Sequence, residues 1–197
     1  MNLRLTSAAA ALAAALAAGC FGPRQPAEPR YFTPLGSAAA APDPKPRADA
    51  PILRLRRVRA APYLRERMVW RRGPEVGYYD MLRWTETPAR FAQRSLDDQL
   101  YEKLGFRRSS SPTGPTLDAT LESFDELLDP AHESWVALAV VLSDPARGTL
   151  LDKSFEVRRP IKSDDPGAVA DAIGEALDAA SAEVGAAVAQ ALGTPTL

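Results

Sequence analysis

Side chains able to do nucleophilic, acid–base or metal chemistry are few in this chain. There is one cysteine, Cys20, and one histidine, His132, so no intrachain disulfide, Cys/His zinc cluster or haem-attachment pair can be assembled. His132 stands in the proline-marked stretch Asp129-Pro130-Ala131-His132-Glu133. As a general base it needs an orienting carboxylate and a nearby nucleophile, and the expectation is a solvent-exposed loop histidine. No G-x-S-x-G and no H-E-x-x-H pattern occurs, which removes the commonest hydrolase signatures. The carboxylate pairs Asp97-Asp98, Asp125-Glu126 and Asp164-Asp165 are neighbours in sequence and on helices would diverge; they read as solvated faces or caps. Gly167, Gly174 and Gly185 follow no strand at a phosphate-loop spacing. No metal, nucleotide or other cofactor is implied, and the chain is expected not to be an enzyme.

Binding chemistry is better represented. Trp70, Tyr78, Tyr79 and Trp84 gather large aromatic area with polar handles within fifteen residues, the kind of surface enriched at protein interfaces; the alternative is that a hairpin packs them into its own core. Arg54, Arg56, Arg57, Arg59, Arg71 and Arg72 could face anionic headgroups or an acidic partner, or form the polar face of two strands. The net charge of −1 argues against a nucleic-acid binder. Charge is nevertheless uneven: residues 52–108 carry 14 basic and 7 acidic side chains, and 109–197 carry 5 and 15. Two such halves in one domain are expected to attract each other.

The N-terminus reads as a targeting signal. Arg4 precedes an uncharged stretch from Leu5 to Ala18, too short to span a bilayer, which needs about 20 apolar residues. Small residues, Ala17-Ala18-Gly19, then lead directly to the sole cysteine. This resembles the lipobox of bacterial lipoproteins; an ordinary secretory cleavage that leaves Cys20 a free thiol is the alternative. The lipobox resemblance implies removal of a signal peptide at 1–19, diacylglycerol on the Cys20 sulfur and an acyl chain such as palmitate on the new N-terminus, enough for stable anchoring. Phe21 stands where lipoproteins held in the inner membrane usually carry aspartate, so the same resemblance implies the periplasmic face of the outer membrane. Residues 20–51 are Pro/Ala-rich and read as a partly extended tether.

Residues 52–197 hold one domain's worth of periodic sequence. Ile52 to Ala60 alternates apolar residues with arginines until the phase slips near Arg56-Arg57, a strand with a bulge. Met68–Arg71 and Glu75–Tyr79 flank Gly73-Pro74 as a hairpin. Thr87-Pro88 opens a helix, with Ala92, Leu96, Leu100 and Leu104 on one stripe and Gly105 ending it. Strands follow near Phe106, over Thr116–Phe124, over Ser134–Leu142 as a central strand covered on both faces, and over Leu150–Val157. Asp165-Pro166 opens a helix running to Leu192, about 40 Å long. Its outer stripe, Val184, Val188 and Leu192, is expected to outreach the sheet, and there either to project or to meet a partner or another copy of the chain. The fold class is α+β: a mixed, mainly antiparallel sheet with two amphipathic helices packed on it, the C-terminal one long.

This order of elements, with Leu-Arg-Leu-Arg-Arg-Val-Arg at 53–59, Met68-Val69-Trp70-Arg71-Arg72-Gly73, Glu75-Val76-Gly77-Tyr78-Tyr79 and Arg83-Trp84, resembles the ABC-type transport auxiliary lipoprotein family, the group containing the PqiC and YmbA lipoproteins. Tyr78, Tyr79 and Trp84 match the family pattern best. The resemblance implies a non-catalytic accessory component of an envelope system moving lipids or other hydrophobic compounds. Its implied partners are the membrane, through the lipid anchor, and an MCE-domain periplasmic protein or ABC permease. The other reading is a carrier domain binding a lipid or apolar ligand between sheet and helix.

Overall fold

The computed structural model describes residues 28–35, 50–111 and 113–193; Cys20 and the signal segment lie outside them. The sheet is built around β7 (Thr116–Asp129). One of its edges carries β8 (Glu133–Asp144) and then β9 (Gly148–Pro160) as an antiparallel meander. Its other edge carries three short strands, all parallel to it: β2 (Ile52–Leu55), β3 (Arg59–Ala60) and β4 (Arg67–Arg72). β5 (Glu75–Trp84) folds back antiparallel on β4, and β6 (Arg107–Arg108) lies parallel beside β2. The antiparallel pairings hold most of the register, so the α+β, mixed and mainly antiparallel sheet is the one the sequence implies. Leu55 stands beside Leu117 and Arg59 beside Thr120, four steps against three, which is the bulge expected near Arg56-Arg57.

The tether expectation differs in one place. Arg30–Phe32 form a strand, β1, parallel to β5, with Tyr31 beside Arg83 and Phe32 beside Trp84. Phe32 packs on the hydrophobic core, and that apolar contact seats a segment too short to show any periodicity.

Helix α1 (Pro88–Asp97) passes into a wider π-helical turn, Asp98–Lys103, that Gly105 ends at φ +70°. Ala92, Leu96 and Leu100 are buried under it. Helix α2 (Pro166–Ala191) starts on Asp165, whose carboxylate accepts the Gly167 amide at 3.0 Å, an N-cap as the sequence suggests. Both helices pack on one sheet face. A bulge in β7 sets Leu121 opposite Leu138 but Ser123 opposite Ala137. That extra residue keeps both Leu121 and Phe124 on the helix side, although strict alternation would turn one outward. Tyr101 pins β2 beneath the helices: its hydroxyl accepts from the Leu55 amide at 2.9 Å and donates to the Leu53 carbonyl at 3.3 Å.

Two expectations fail here, the first because of the length of the sheet. β7, β8 and β9 run 14, 12 and 13 residues, about 40 Å or more at 3.3 Å per residue, which matches a helix of 26 residues. Val184 and Val188 are therefore 0% exposed, and this stripe offers nothing to a second copy. β8 is central, but Val141 on its outer face stays exposed, so only the helix-facing side is fully covered. Val188→Ala should lower unfolding free energy by about 2 kcal/mol in urea titration; an unchanged midpoint would mean that the helix end is unpacked.

Candidate functional site

The pairing of β4 with β5 divides the aromatic group. Val69 stands opposite Tyr78 and Trp70 opposite Gly77, so Trp70 and Tyr78 point to opposite faces. Arg67 stands opposite Arg83, two steps along β4 against five along β5, and this excess folds β5 into a wide irregularity over 79–82. Beyond it Trp84 turns into the core, 2% exposed, with its ring edge-on to Phe91 and Phe124 at 6.1 and 5.2 Å. Trp84 is thus a packing residue and not part of a docking surface. Its indole N–H finds no acceptor among the described residues. Trp70 lies across the hairpin because Gly77 has no side chain: a Cβ there would come within 2.1 Å of the indole.

Tyr79 is half-buried. Its hydroxyl donates to Glu126 Oε2 at 2.7 Å, and the other carboxylate oxygen lies 2.6 Å from His132 Nε2. Burial, then the hydrogen bond and charge of Glu126, push the Tyr79 hydroxyl well above its ordinary pKa, so it remains a donor. Glu126 is buried and His132 half-buried. The exposed loop histidine and the solvated Asp125-Glu126 pair expected from sequence are therefore both corrected. On a strand, adjacent carboxylates face opposite sides, and here each finds its own partners.

Asp125 is the outer-face member and is 0% exposed. Arg71 reaches its Oδ2 with Nε at 3.1 Å and Nη2 at 2.9 Å, and the Tyr63 hydroxyl donates to the same oxygen at 3.0 Å. The Arg71 guanidinium carbon also lies 5.2 Å from the Trp135 ring centre, with Arg158 at 5.6 Å from the same ring, a cation–π arrangement. Burial raises the Asp125 carboxyl above its usual range, and the contacts to Arg71, the Phe124 amide and Tyr63 offset this only in part. Burial works against the Arg71 charge, but the contacts with Asp125 and Tyr63 together outweigh it and hold the guanidinium more firmly protonated. Tyr63 belongs to the stretch between β3 and β4, so this network clamps that crossing segment onto the sheet.

Tyr78 sits above this clamp. It is 41% exposed, and its hydroxyl donates to the Tyr63 carbonyl at 3.4 Å. Of the four aromatics singled out by sequence, Trp84 is core, half-buried Tyr79 is tied by its hydroxyl to buried Glu126, Trp70 covers its own hairpin on the other face, and Tyr78 faces solvent. The sequence pattern missed Tyr63, Arg71 and Asp125 as a unit. Among the described residues no cluster of three His, Cys, Asp or Glu side chains is arranged to hold a metal ion, and no helix is long and apolar enough to cross a membrane.

Arg71→Leu should cost about 3 kcal/mol at neutral pH, because Asp125 is left buried without its cation. The folded variant then takes up a proton on Asp125 at higher pH than the unfolded chain does. Stability therefore falls as pH rises through the window above the ordinary carboxylate range. Urea midpoints between pH 4 and 8 test this; a loss independent of pH would place the cost elsewhere.

Comparison with known proteins places this geometry. A crystal structure of a protein from Xanthomonas campestris superposes with a TM-score of 0.66 at 19% identity, covering 84% of this chain and 100% of that one. A second crystal structure, of an uncharacterized protein, gives 0.63 at 14% identity, covering 82% and 99%. At these identities the likeness is one of fold. No curated protein matches the sequence. The family model described as the ABC-type transport auxiliary lipoprotein component matches residues 34–185, most of the chain including the hairpin, α1 and the larger part of α2, and the chain belongs to that family.

Proposed function

We propose that this auxiliary lipoprotein is a non-catalytic docking component, anchored at the periplasmic face of the outer membrane, that recruits an MCE-domain protein or ABC permease of a system moving lipids or other hydrophobic compounds. Residues 1–19 are the cleaved signal, Cys20 carries the lipid, and the sequence between Cys20 and β2 is the tether, with β1 docked on the sheet. The observation that supports docking is Tyr78, an exposed aromatic whose hydroxyl rests on the Tyr63 carbonyl, beside the Arg71–Asp125–Tyr63 clamp centred on a buried carboxylate. A rigid aromatic standing on a fixed base loses little side-chain entropy on binding, which is the property of an interface anchor. A carrier would instead need an apolar space between sheet and helices. There Phe124, Leu138, Ile173, Ala176 and Val184 fill the interface.

Two measurements test this. Cys20→Ser should move the protein out of the outer-membrane fraction without changing its melting temperature; unchanged partitioning would remove the anchor. In affinity capture from envelope fractions, Tyr78→Ala should lose the co-purifying permease or MCE-domain protein at least tenfold while unfolding as the parent does. Trp84→Ala, by contrast, should lose about 3–5 kcal/mol of stability. Capture that survives Tyr78→Ala would place the docking surface elsewhere.

A further inference from the structure

A solvent-open groove of about 860 Å³ runs beside Tyr78 on the outer side of the β4–β5 pair. Leu64 contributes to its apolar floor, and Arg65, Arg67 and Arg83 line it together with Glu66. The cations are poorly matched by the protein itself. Arg67 and Arg83 stand directly opposite each other across the antiparallel pair, where like charges are destabilising. Arg67 has a 3.8 Å contact to Asp80, whose carboxylate is 91% exposed, too loose to neutralise it. Arg83 donates to the backbone carbonyls of Tyr79 and Leu82 at 3.1 Å, and Arg65 to that of Pro62 at 3.2 Å. An arginine pair in opposed register, with a third arginine beside it, has the donors for a phosphate diester. The apolar floor has the surface for the first part of an acyl chain.

We infer that this groove binds an anionic phospholipid, the headgroup phosphate between Arg65, Arg67 and Arg83 and the glycerol end along Leu64. The choice of a lipid over an acidic protein segment rests on the anchored reading above. β1 sets Tyr31 beside Arg83, and Arg30 is ten residues from Cys20, no more than about 35 Å of chain. The anchor therefore holds the groove within reach of the bilayer surface, where anionic headgroups attract arginine.

The test is native mass spectrometry of the full, detergent-solubilised lipoprotein titrated with dioctanoyl phosphatidylglycerol, dioctanoyl phosphatidylcholine, inorganic phosphate and a glutamate-rich peptide, with melting temperature as a second readout. Saturable binding of phosphatidylglycerol is expected, at least tenfold tighter than phosphatidylcholine or phosphate, and at least tenfold weaker in Arg65→Gln/Arg67→Gln. At a hundredfold excess over Kd it should raise the parent's melting temperature by about 8 °C and, at the same lipid concentration, that of the variant by no more than about half as much. Unliganded, the variant should melt no lower than the parent, because Arg67→Gln removes an opposed like charge; this separates lost binding from lost folding. Equal binding of phosphatidylcholine would make the site a chain groove. Phosphate bound as tightly as the lipid would make it a free-anion site, and displacement by the peptide at lower concentration would make its occupant a protein. Each of these overturns the inference, as does lipid binding that the double variant leaves unchanged. The docking reading is scored separately, by Tyr78→Ala capture.

Discussion

β7 must have both of its backbone edges satisfied along 14 residues, and the rest of the domain is arranged around that requirement. One edge is met by the single long strand β8. The other is met in pieces, by β2, β3 and β4, all running the same way. They lie end to end along β7, at Thr116–Leu117, Thr120–Leu121 and Asp125–Asp129, and between them the chain bulges after β2 and leaves the sheet after β3. Buried backbone groups left unpaired would be costly. The excursion is therefore held down by the Tyr63 hydroxyl and Arg71, both on Asp125. Arg71 comes from the strand that follows the excursion and Tyr63 from the excursion itself, so one buried carboxylate on the axial strand fixes the route of everything between β3 and the hairpin.

The hairpin inherits its form from this clamp. With β4 locked against β7, β5 carries three more residues than its partner between Tyr78 and Arg83, and the excess folds at 79–82. One side of that fold sends Tyr79 to Glu126 on the helix face; the other lets Trp84 enter the core. Tyr78, on the outer face, has no comparable pocket to fill. A sequence of closely spaced aromatics is thereby distributed over two faces and an interior, and its surface contribution is reduced to the side chain resting on the clamp.

What was legible in the sequence was whatever repeats. The α+β class, both helices, the Gly73-Pro74 hairpin, the β2–β3 bulge and the Asp165 cap all announce themselves by period or by turn chemistry. Residues whose roles depend on distant partners were not legible. Asp125 and Glu126 look like any solvated pair until Tyr63, Arg71 and Tyr79 arrive from 47 to 62 positions away. His132 gains its carboxylate only when β7 and β8 turn together. β1 is three residues long, below the length at which alternation can be seen, and the burial of Val184 and Val188 followed from strand lengths that turn signals underestimated. Leu121 and Phe124 could not be placed on one face without knowing that β7 bulges between them.

The charge asymmetry of the chain resolves differently from simple attraction between its halves. Arg56–Asp118 at 3.4 Å and Arg71–Asp125 at 2.9 Å do join the basic half to the acidic one. Yet the basic half also engages its own acids: Glu86 takes Arg94 and Arg90, Asp97 takes Arg108, and Asp98 takes Lys103. With 14 basic and 7 acidic side chains between residues 52 and 108, such local pairing leaves a surplus of arginine. The surplus cannot be cancelled at a distance, since exposed charges are screened beyond about 10 Å. It is therefore displayed where the sheet register forces arginines together, on the outer face of β4 and β5. A near-neutral protein thus keeps a basic surface beside its one exposed hairpin aromatic, and that local field, more than the net charge, governs what approaches it.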